Sequence, residues 1–305
     1  MLLSNILKEM DYQEKTEMIS ECEFDVLALT ASNIDKPSCV FVADTKYLGD
    51  LKENVCMVCT DMEIAKNMKL SGWKKGICIT EEPRMLFFRV HNFLSKSKDY
   101  SYSRQKFETR IGKNCQIHEF ASISKNNVII GDNVVIEEFV VIRENTVIGD
   151  NSIIRAGAKI GGVGFEFKRA DEKVWGVEHA GGVRIGKNVE IQYNTCIDRA
   201  VYPWDDTIIG NFTKIDNLVH IGHAVKIADN VILVAQSGIG GRTEIGSDTW
   251  IGFSATVSNG LMIGRNARVN IGSIATKNVE DNSSVTGNFA IEHSKFIQNL
   301  KKINS

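Results

Sequence analysis

The sequence predicts a mostly β protein: a parallel β-helix of six-residue repeats, preceded by a small α/β domain and followed by a short helix. Three observations carry this. Ile209, Ile215, Ile221, Ile227, Leu233, Ile239, Ile245, Ile251, Val257, Ile263 and Val269 follow one another at intervals of six without a break. The same interval recurs at Ile130, Ile136, Ile142, Ile148, Ile154 and Ile160, and again at Ile185, Ile191 and Ile197. Residues 1–100 show no such period. A helix repeats its apolar positions at three and four, and an amphipathic strand at two, so a sustained six fits neither alone. It fits a flat-sided prism in which each side sends one aliphatic residue to the axis. Three sides make a coil of 18 residues, and stacked coils pair as parallel strands. Glycine often follows the aliphatic residue, as in Ile130-Gly131, Ile209-Gly210 and Ile263-Gly264, and together with Asn and Asp is expected to supply the corners.

The elements follow in order. Residues 1–100 alternate strand-like stretches, SCVFVAD, NVCMVCT and GICIT, with the helical stretches LSNILKEM, MEIAKNMKLSG and PRMLFFRVHNFLSK. They read as an α/β domain, closed by the polar linker SKSKDYSYSR. The solenoid spans 101–288 and is interrupted twice. Residues 162–184 form a charged, Gly-rich excursion, and 198–208 a shorter one with Pro203 and Trp204. Solenoids carry such insertions as loops, which often build a binding site. GGVGFEF brushes against a nucleotide-binding glycine fingerprint, but no helix follows it, so that reading fails. Residues 289–305 have helical spacing and basic character and cap the last coil.

Composition excludes several classes. The formal charge of −2 on 305 residues gives no basic excess for nucleic acid. No stretch is apolar for long enough to span a membrane, and MLLSNILKEMDYQEK does not read as a signal peptide. Seven cysteines, an odd number, read as reduced thiols in a cytoplasmic protein. Cys56 and Cys59 form a C-x-x-C without further ligands, so they read as strand cysteines, and no metal site is expected.

Two histidines stand out. His220 and His223, in NLVHIGHAVKI, lie between the repeat positions Ile215 and Ile227. Histidine is the natural general base near neutral pH. One coil of 18 residues beyond His223 stands Gly241, where the missing side chain opens a backbone N–H to close approach. Spacing alone leaves the alternatives open: a solvated or stacked histidine, and an ordinary corner glycine.

The segments NTCIDRA, DDTIIGNFTKIDNLVHIGHAVKIADN and IGGVGFEF resemble the UDP-3-O-acylglucosamine N-acyltransferases of lipid A biosynthesis, a family of hexapeptide-repeat acyltransferases. Their pattern is I-D-R-G, D-D-T-x-I-G, D-N and I-A-H-N. The resemblance implies a left-handed β-helix, a homotrimer with sites between subunits, and transfer of an acyl group from a thioester to the amine of a UDP-linked amino sugar. It places the catalytic histidine on His223, the oxyanion-hole glycine on Gly241, and the Asp-Asn pair on Asp216 and Asn217. The G-F-G-F loop falls on Gly164, Phe165, Glu166 and Phe167. In the N-terminal domain, the uridine-holding F-x-x-N-x-K-Y signature falls on Phe41, Asp44, Lys46 and Tyr47. Phe41 and Tyr47 would stack on the base, and Lys46 would serve a phosphate.

Departures bear on substrate rather than on fold. The family's second histidine falls on Gly260. His220 stands where glutamine is usual, and His179 stands near another such position. Asp44 replaces the uracil-reading asparagine, and the loop at Val201-Tyr202-Pro203-Trp204 is longer than usual. The C-terminal extension is short, and GNFAIEHSKF is similar to the G-N-P-A ending of sugar acetyltransferases. The resemblance implies no bound cofactor; the co-substrate is the phosphopantetheine thioester of acyl carrier protein, or a coenzyme A thioester. The alternatives are an acetyl-CoA-dependent nucleotide-sugar acetyltransferase and a non-catalytic nucleotide-sugar-binding scaffold.

Overall fold

The computed structural model describes residues 1–30, 32–97, 100, 104–170, 172–287 and 289–303. Residues 98–99 and 101–103, part of the expected linker, lie outside the described residues. The chain divides into two compact units.

The first unit comprises residues 1–105 together with 163–181 and 201–205, so both excursions of the solenoid belong to it. Its sheet holds β1 (Glu17–Ser20), β2 (Val26–Leu27), β3 (Ser38–Val42), β4 (Val55–Thr60) and β5 (Gly76–Ile79) in the order β1-β5-β4-β3-β2. All pairs are parallel except β1 with β5. The helices are α1 (Leu3–Glu9), α2 (Met62–Leu70) and α3 (Pro83–Lys96). Two begin where local chemistry favours it: Asp61 caps α2 by accepting the Ile64 N–H at 2.8 Å, and Pro83 opens α3, where no N–H is needed. Cys56 and Cys59 are an odd number apart on β4, so they face opposite sides of the sheet and form no metal pair.

The excursions are tied into this unit by side chains. Nε2 of His91 lies 2.9 Å from the Glu178 carbonyl, and Asn92 bonds both the Gly176 carbonyl and the Glu178 N–H at 2.8 Å. Trp204 stacks on Tyr202 and donates its indole N–H to the Leu27 carbonyl at 2.8 Å. Phe87, Val177, Val201 and Tyr202 share one buried cluster.

The second unit is a three-sided parallel β-helix. Nearly all its strands are two to four residues long and lie in three parallel sheets. The inward residues stack in register, for example Ile154, Ile191, Ile215, Leu233, Ile251 and Val269 along one side. They fill the axis and are buried, each contributing about 1.5–3 kcal/mol relative to exposure. Helix α4 (His293–Ile303) follows the last coil.

The corners differ from expectation in one respect. The left-handed residue of each corner is mostly Asn or another L-residue, as at Asn133, Asn151, Asn230 and Asn266. Most glycines after the aliphatic residues do not adopt positive φ. They are required by close approach instead: a Cβ at Gly210 would lie 2.4 Å from the Ala228 carbonyl carbon in the next coil. Buried hydroxyls staple the coils together. Thr213, Thr243 and Thr249 each donate to a carbonyl 15 residues ahead, at 2.7–3.1 Å.

Candidate active site

His220 sits on a two-residue strand whose in-register neighbours are Cys196 and Gly238. It points outward and is exposed, because Ile221 takes the inward position. His223 lies at the following corner and is buried, at 8% exposure. Ala224 beside it takes the left-handed conformation, with φ of 59°. The 18-residue step then puts Gly241 against the imidazole: a Cβ built on Gly241 would lie 2.7 Å from Nε2 of His223.

Conformation alone does not call for a glycine at 241. The left-handed residue of that corner is Arg242, with φ of 62°, and Gly241 is not among the positive-φ residues. What excludes a side chain is the His223 ring. Some corner amides are capped by a side chain of a neighbouring coil, as when Asn211 N–H donates to Asp229 at 2.6 Å and Arg265 N–H to Asp281 at 2.7 Å, whereas those of Asp229, Ser247, Phe253 and Asn259 have no hydrogen-bond partner among the described residues. The Gly241 N–H has no such partner among the described residues, although its carbonyl accepts from Gly260. An imidazole base thus lies one coil from a free backbone donor.

Asp198 completes the cluster. One of its carboxylate oxygens lies 3.8 Å from Nε2 of His220, and its side chain is largely buried. Burial pushes its carboxyl above the ordinary carboxylate value, while the neighbouring His220 and His223 rings pull in the opposite direction. Sequence reasoning did not single out Asp198. Its strand pairs Cys196 with His220, a separation of 24 rather than 18, because the excursion at 201–205 lengthens that coil. Counting back 24 rather than 18 from His220 reaches Cys196, on the strand that ends at Asp198. Burial pushes the adjacent Cys196 thiol up, opposed by Lys159 and reinforced by Asp198, which makes it a poor nucleophile.

The other sequence-selected residues fall elsewhere. Asp216 and Asn217 occupy the preceding corner. The Asp216 carboxylate accepts from the Asn217 and Ala235 amides, and the Asn217 side chain accepts from Tyr193 N–H. In the first unit, Phe41 is half-buried with its ring centroid 5.1 Å from Phe87 and 6.2 Å from Phe88. Asp44 caps the 3-10 turn Thr45–Asp50 and pairs with Lys46 at 3.0 Å. The Lys46 amide and ammonium hold its carboxyl below the usual value. Lys46 also lies over the exposed Tyr47 ring, at 4.9 Å. Phe165 and Phe167 are exposed and touch each other, with centroids 4.8 Å apart. His179 is buried, with Nδ1 2.9 Å from the Val177 carbonyl. The described residues contain no metal-binding cluster, and no described helix is long and apolar enough to cross a membrane.

The Bacterial transferase hexapeptide (six repeats) family matches residues 127–162 and 206–241, the second stretch ending on Gly241. The chain is 50% identical over 93 residues to UDP-3-O-acylglucosamine N-acyltransferase 2 of Legionella pneumophila (strain Lens), covering 30% of this chain and 26% of that protein. It is 33% identical over 154 residues to the UDP-3-O-acylglucosamine N-acyltransferase of Delftia acidovorans, covering 49% and 45%. The matches therefore span less than half the length of these relatives. Among solved structures, the UDP-N-acetylglucosamine acyltransferase of Campylobacter jejuni shares the fold, with a TM-score of 0.53, 22% identity, and coverage of 64% of this chain and 79% of that one. The corresponding enzyme of Bacteroides fragilis gives 0.51, 27% identity, and coverage of 56% and 64%.

Proposed function

From a solenoid that carries the bacterial transferase hexapeptide repeat, we propose that this chain is an acyltransferase acting on the amine of a UDP-linked amino sugar. The observation that carries the reading is the pairing of His223 with the uncapped Gly241 amide, one coil apart. The sugar amine loses its proton to the His223 imidazole as its nitrogen attacks the thioester carbonyl carbon. The carbonyl oxygen becomes an oxyanion and accepts the Gly241 N–H, a fixed dipole that needs no reorganisation. Collapse reforms the carbonyl, breaks the carbon–sulfur bond and releases the thiolate, which takes the proton from His223. The products are an amide and a free thiol. Asp198, ionised, favours the imidazolium formed on the way.

Phe41, Lys46 and Tyr47 are assigned to the nucleotide, and Phe165, Phe167, His179 and His220 to the sugar and its acyl substituent. The donor is the phosphopantetheine thioester of acyl carrier protein or a coenzyme A thioester. An acetyl-CoA-dependent sugar acetyltransferase is favoured by one feature: Gly260 stands where the family has a second histidine, and its φ of 70° makes it a plain corner residue. The active unit is assigned as a homotrimer in the cytoplasm. Phe120, Phe139, Tyr193, Leu218, Phe253 and Ile271 line one corner of the solenoid and are all exposed, which supports burial against further copies of the chain.

Purified protein is to be offered acyl carrier thioesters, long acyl-CoA and acetyl-CoA with a panel of UDP-amino sugars, and products weighed by mass spectrometry. Amide formation on a UDP-amino sugar is expected. Binding of UDP-sugars without turnover on any donor would replace this reading with a scaffold. Light scattering on the same sample reads the oligomeric state.

A further inference from the structure

Three buried threonines of the solenoid, Thr213, Thr243 and Thr249, donate forward by 15 residues, and Thr207 donates backward instead. Thr243 lies two coils beyond Thr207 in the same column and donates forward to the Ser258 carbonyl at 3.0 Å. By the same step of 15, Thr207 would reach the carbonyl of Gly222. Instead its hydroxyl turns back and donates to the Asp198 carbonyl at 2.6 Å. The same oxygen accepts the Ala224 N–H at 2.9 Å. Thr207 is fully buried. One oxygen atom therefore joins the backbone of Asp198 to the backbone immediately after His223.

The repeat explains why this link is needed. Elsewhere the inward aliphatic stacks and the 18-residue step fix one coil over the next. Just after Asp198 the chain leaves the solenoid for the excursion at 201–205 and returns at Asp206. The carboxylate beside His220, on the coil below the His223 corner, thus stands at a break in the repeat. A hydrogen bond from a buried hydroxyl costs little conformational freedom in a β-branched residue and is strong where water is excluded.

We propose that Thr207 is a positioning residue that holds Asp198 against His223, so that the carboxylate steadies the imidazole through catalysis. The proposal rests on His223 being the base. It assigns Thr207 no contact with substrate.

The test compares Thr207→Val, which keeps the shape and removes the hydroxyl, with Thr207→Ser, which keeps the hydroxyl, and Thr243→Val, which removes an ordinary staple. Thr207→Val is expected to lower kcat by about 10- to 100-fold with KM within about twofold, the loss that a displacement of about 1 Å produces. Thr207→Ser should restore most of it. Thr243→Val should lower Tm comparably and leave kcat close to wild type. In an Asp198→Asn background, Thr207→Val should cost little more, because the two changes remove one arrangement. Multiplicative losses, or an equal loss in Thr243→Val, would overturn the proposal. Should Thr207→Val melt below the assay temperature, Thr207→Ala at reduced temperature takes its place.

A second readout does not depend on turnover. Ring resonances of His223 and of His220, which lies 3.8 Å from the Asp198 carboxylate, are followed by NMR against pH. Thr207→Val should move the His223 titration toward that of Asp198→Asn. An unchanged His223 curve would refute the positioning role even in an active enzyme. A moved curve in a protein that acylates nothing would leave the link intact and reject the proposed reaction.

Discussion

A single methyl group at Gly241 separates an oxyanion donor from a corner glycine. In Gly241→Ala the new Cβ starts 2.7 Å from Nε2 of His223, and the backbone conformation there does not penalise an L-residue. The clash is therefore purely with the ring. To reach the 3.4 Å of ordinary contact, ring and methyl must separate by roughly 0.7 Å, either by rotating the imidazole or by lifting the coil. Lifting the coil strains the stacked strands, and overpacking of this kind costs about 1–3 kcal/mol. Rotating the ring moves the base off the line to the amine, and a shift approaching 1 Å costs about 10²-fold in rate. The expected result is a kcat lower by about 10²-fold, a modestly lower Tm, and a nearly unchanged KM for the UDP-sugar, whose nucleotide the proposed function assigns to other residues. Gly210→Ala is the control. Its Cβ meets backbone at 2.4 Å, which cannot swing aside, so it should destabilise more without a specific loss in kcat per folded molecule. Steady-state kinetics and melting curves on both variants decide the matter. Wild-type kcat in Gly241→Ala would refute the placement of chemistry at this corner.

Three further outcomes are expected. His223→Ala should lower kcat by about 10²-fold or more with the fold intact, and His220→Ala should be milder; the reverse order in steady-state assays would move the base to the exposed histidine. Asp198→Asn should lower kcat yet melt no lower than wild type near neutral pH. Between the ordinary carboxylate value and the raised one the folded state holds a proton the unfolded state has released, so stability falls as pH rises through that window; above it Asp198 is ionised and that cost is fully present, and asparagine escapes it; a lower Tm for the variant at pH 7 would contradict this. Phe41→Ala with Tyr47→Ala should raise KM for the sugar nucleotide more than it lowers kcat, since stacking on a remote base is uniform binding; unchanged KM in initial-rate assays would remove both residues from the nucleotide site.

What could be read from the sequence was whatever the repeat preserves. The inward Ile, Leu and Val positions run at a constant interval because each must fill the same slot on the axis, and their register in the three sheets follows that interval. The relation of His223 to Gly241 was legible for the same reason: both belong to the unbroken run from Ile209 to Val269. Helices α1, α2 and α3 and strands β3, β4 and β5 were legible from ordinary apolar patterning. Asp198 was hidden because its coil is lengthened by residues that belong to the first unit, which destroys the count. The role of the glycines was also misleading. Their spacing suggests turns, whereas Gly210 is required by a carbonyl in the next coil and Gly241 by an imidazole ring. Composition cannot distinguish a glycine needed for its backbone from one needed for its missing Cβ.

The placement of the site follows from how a solenoid divides labour along its own repeat. Inward residues are fixed by the axis, and outward residues on the flat faces meet equivalents from the coils above and below. Corners are where the backbone turns, and there amide groups leave the strand ladder and need other partners. The structure meets that need in some corners with a carboxylate or amide side chain from a neighbouring coil, as Asp229 does for Asn211, and leaves others open. Each open corner amide, Gly241 among them, forgoes a stabilising bond, worth about 0.5–1.5 kcal/mol net for a typical case, and leaves a fixed donor. Placing a largely buried carboxylate near that corner adds a second local cost, visible in the raised Asp198 carboxyl. An open amide against the His223 ring and a largely buried carboxylate beside His220, brought to one corner from neighbouring coils, supply the donor and the charge that acyl transfer requires.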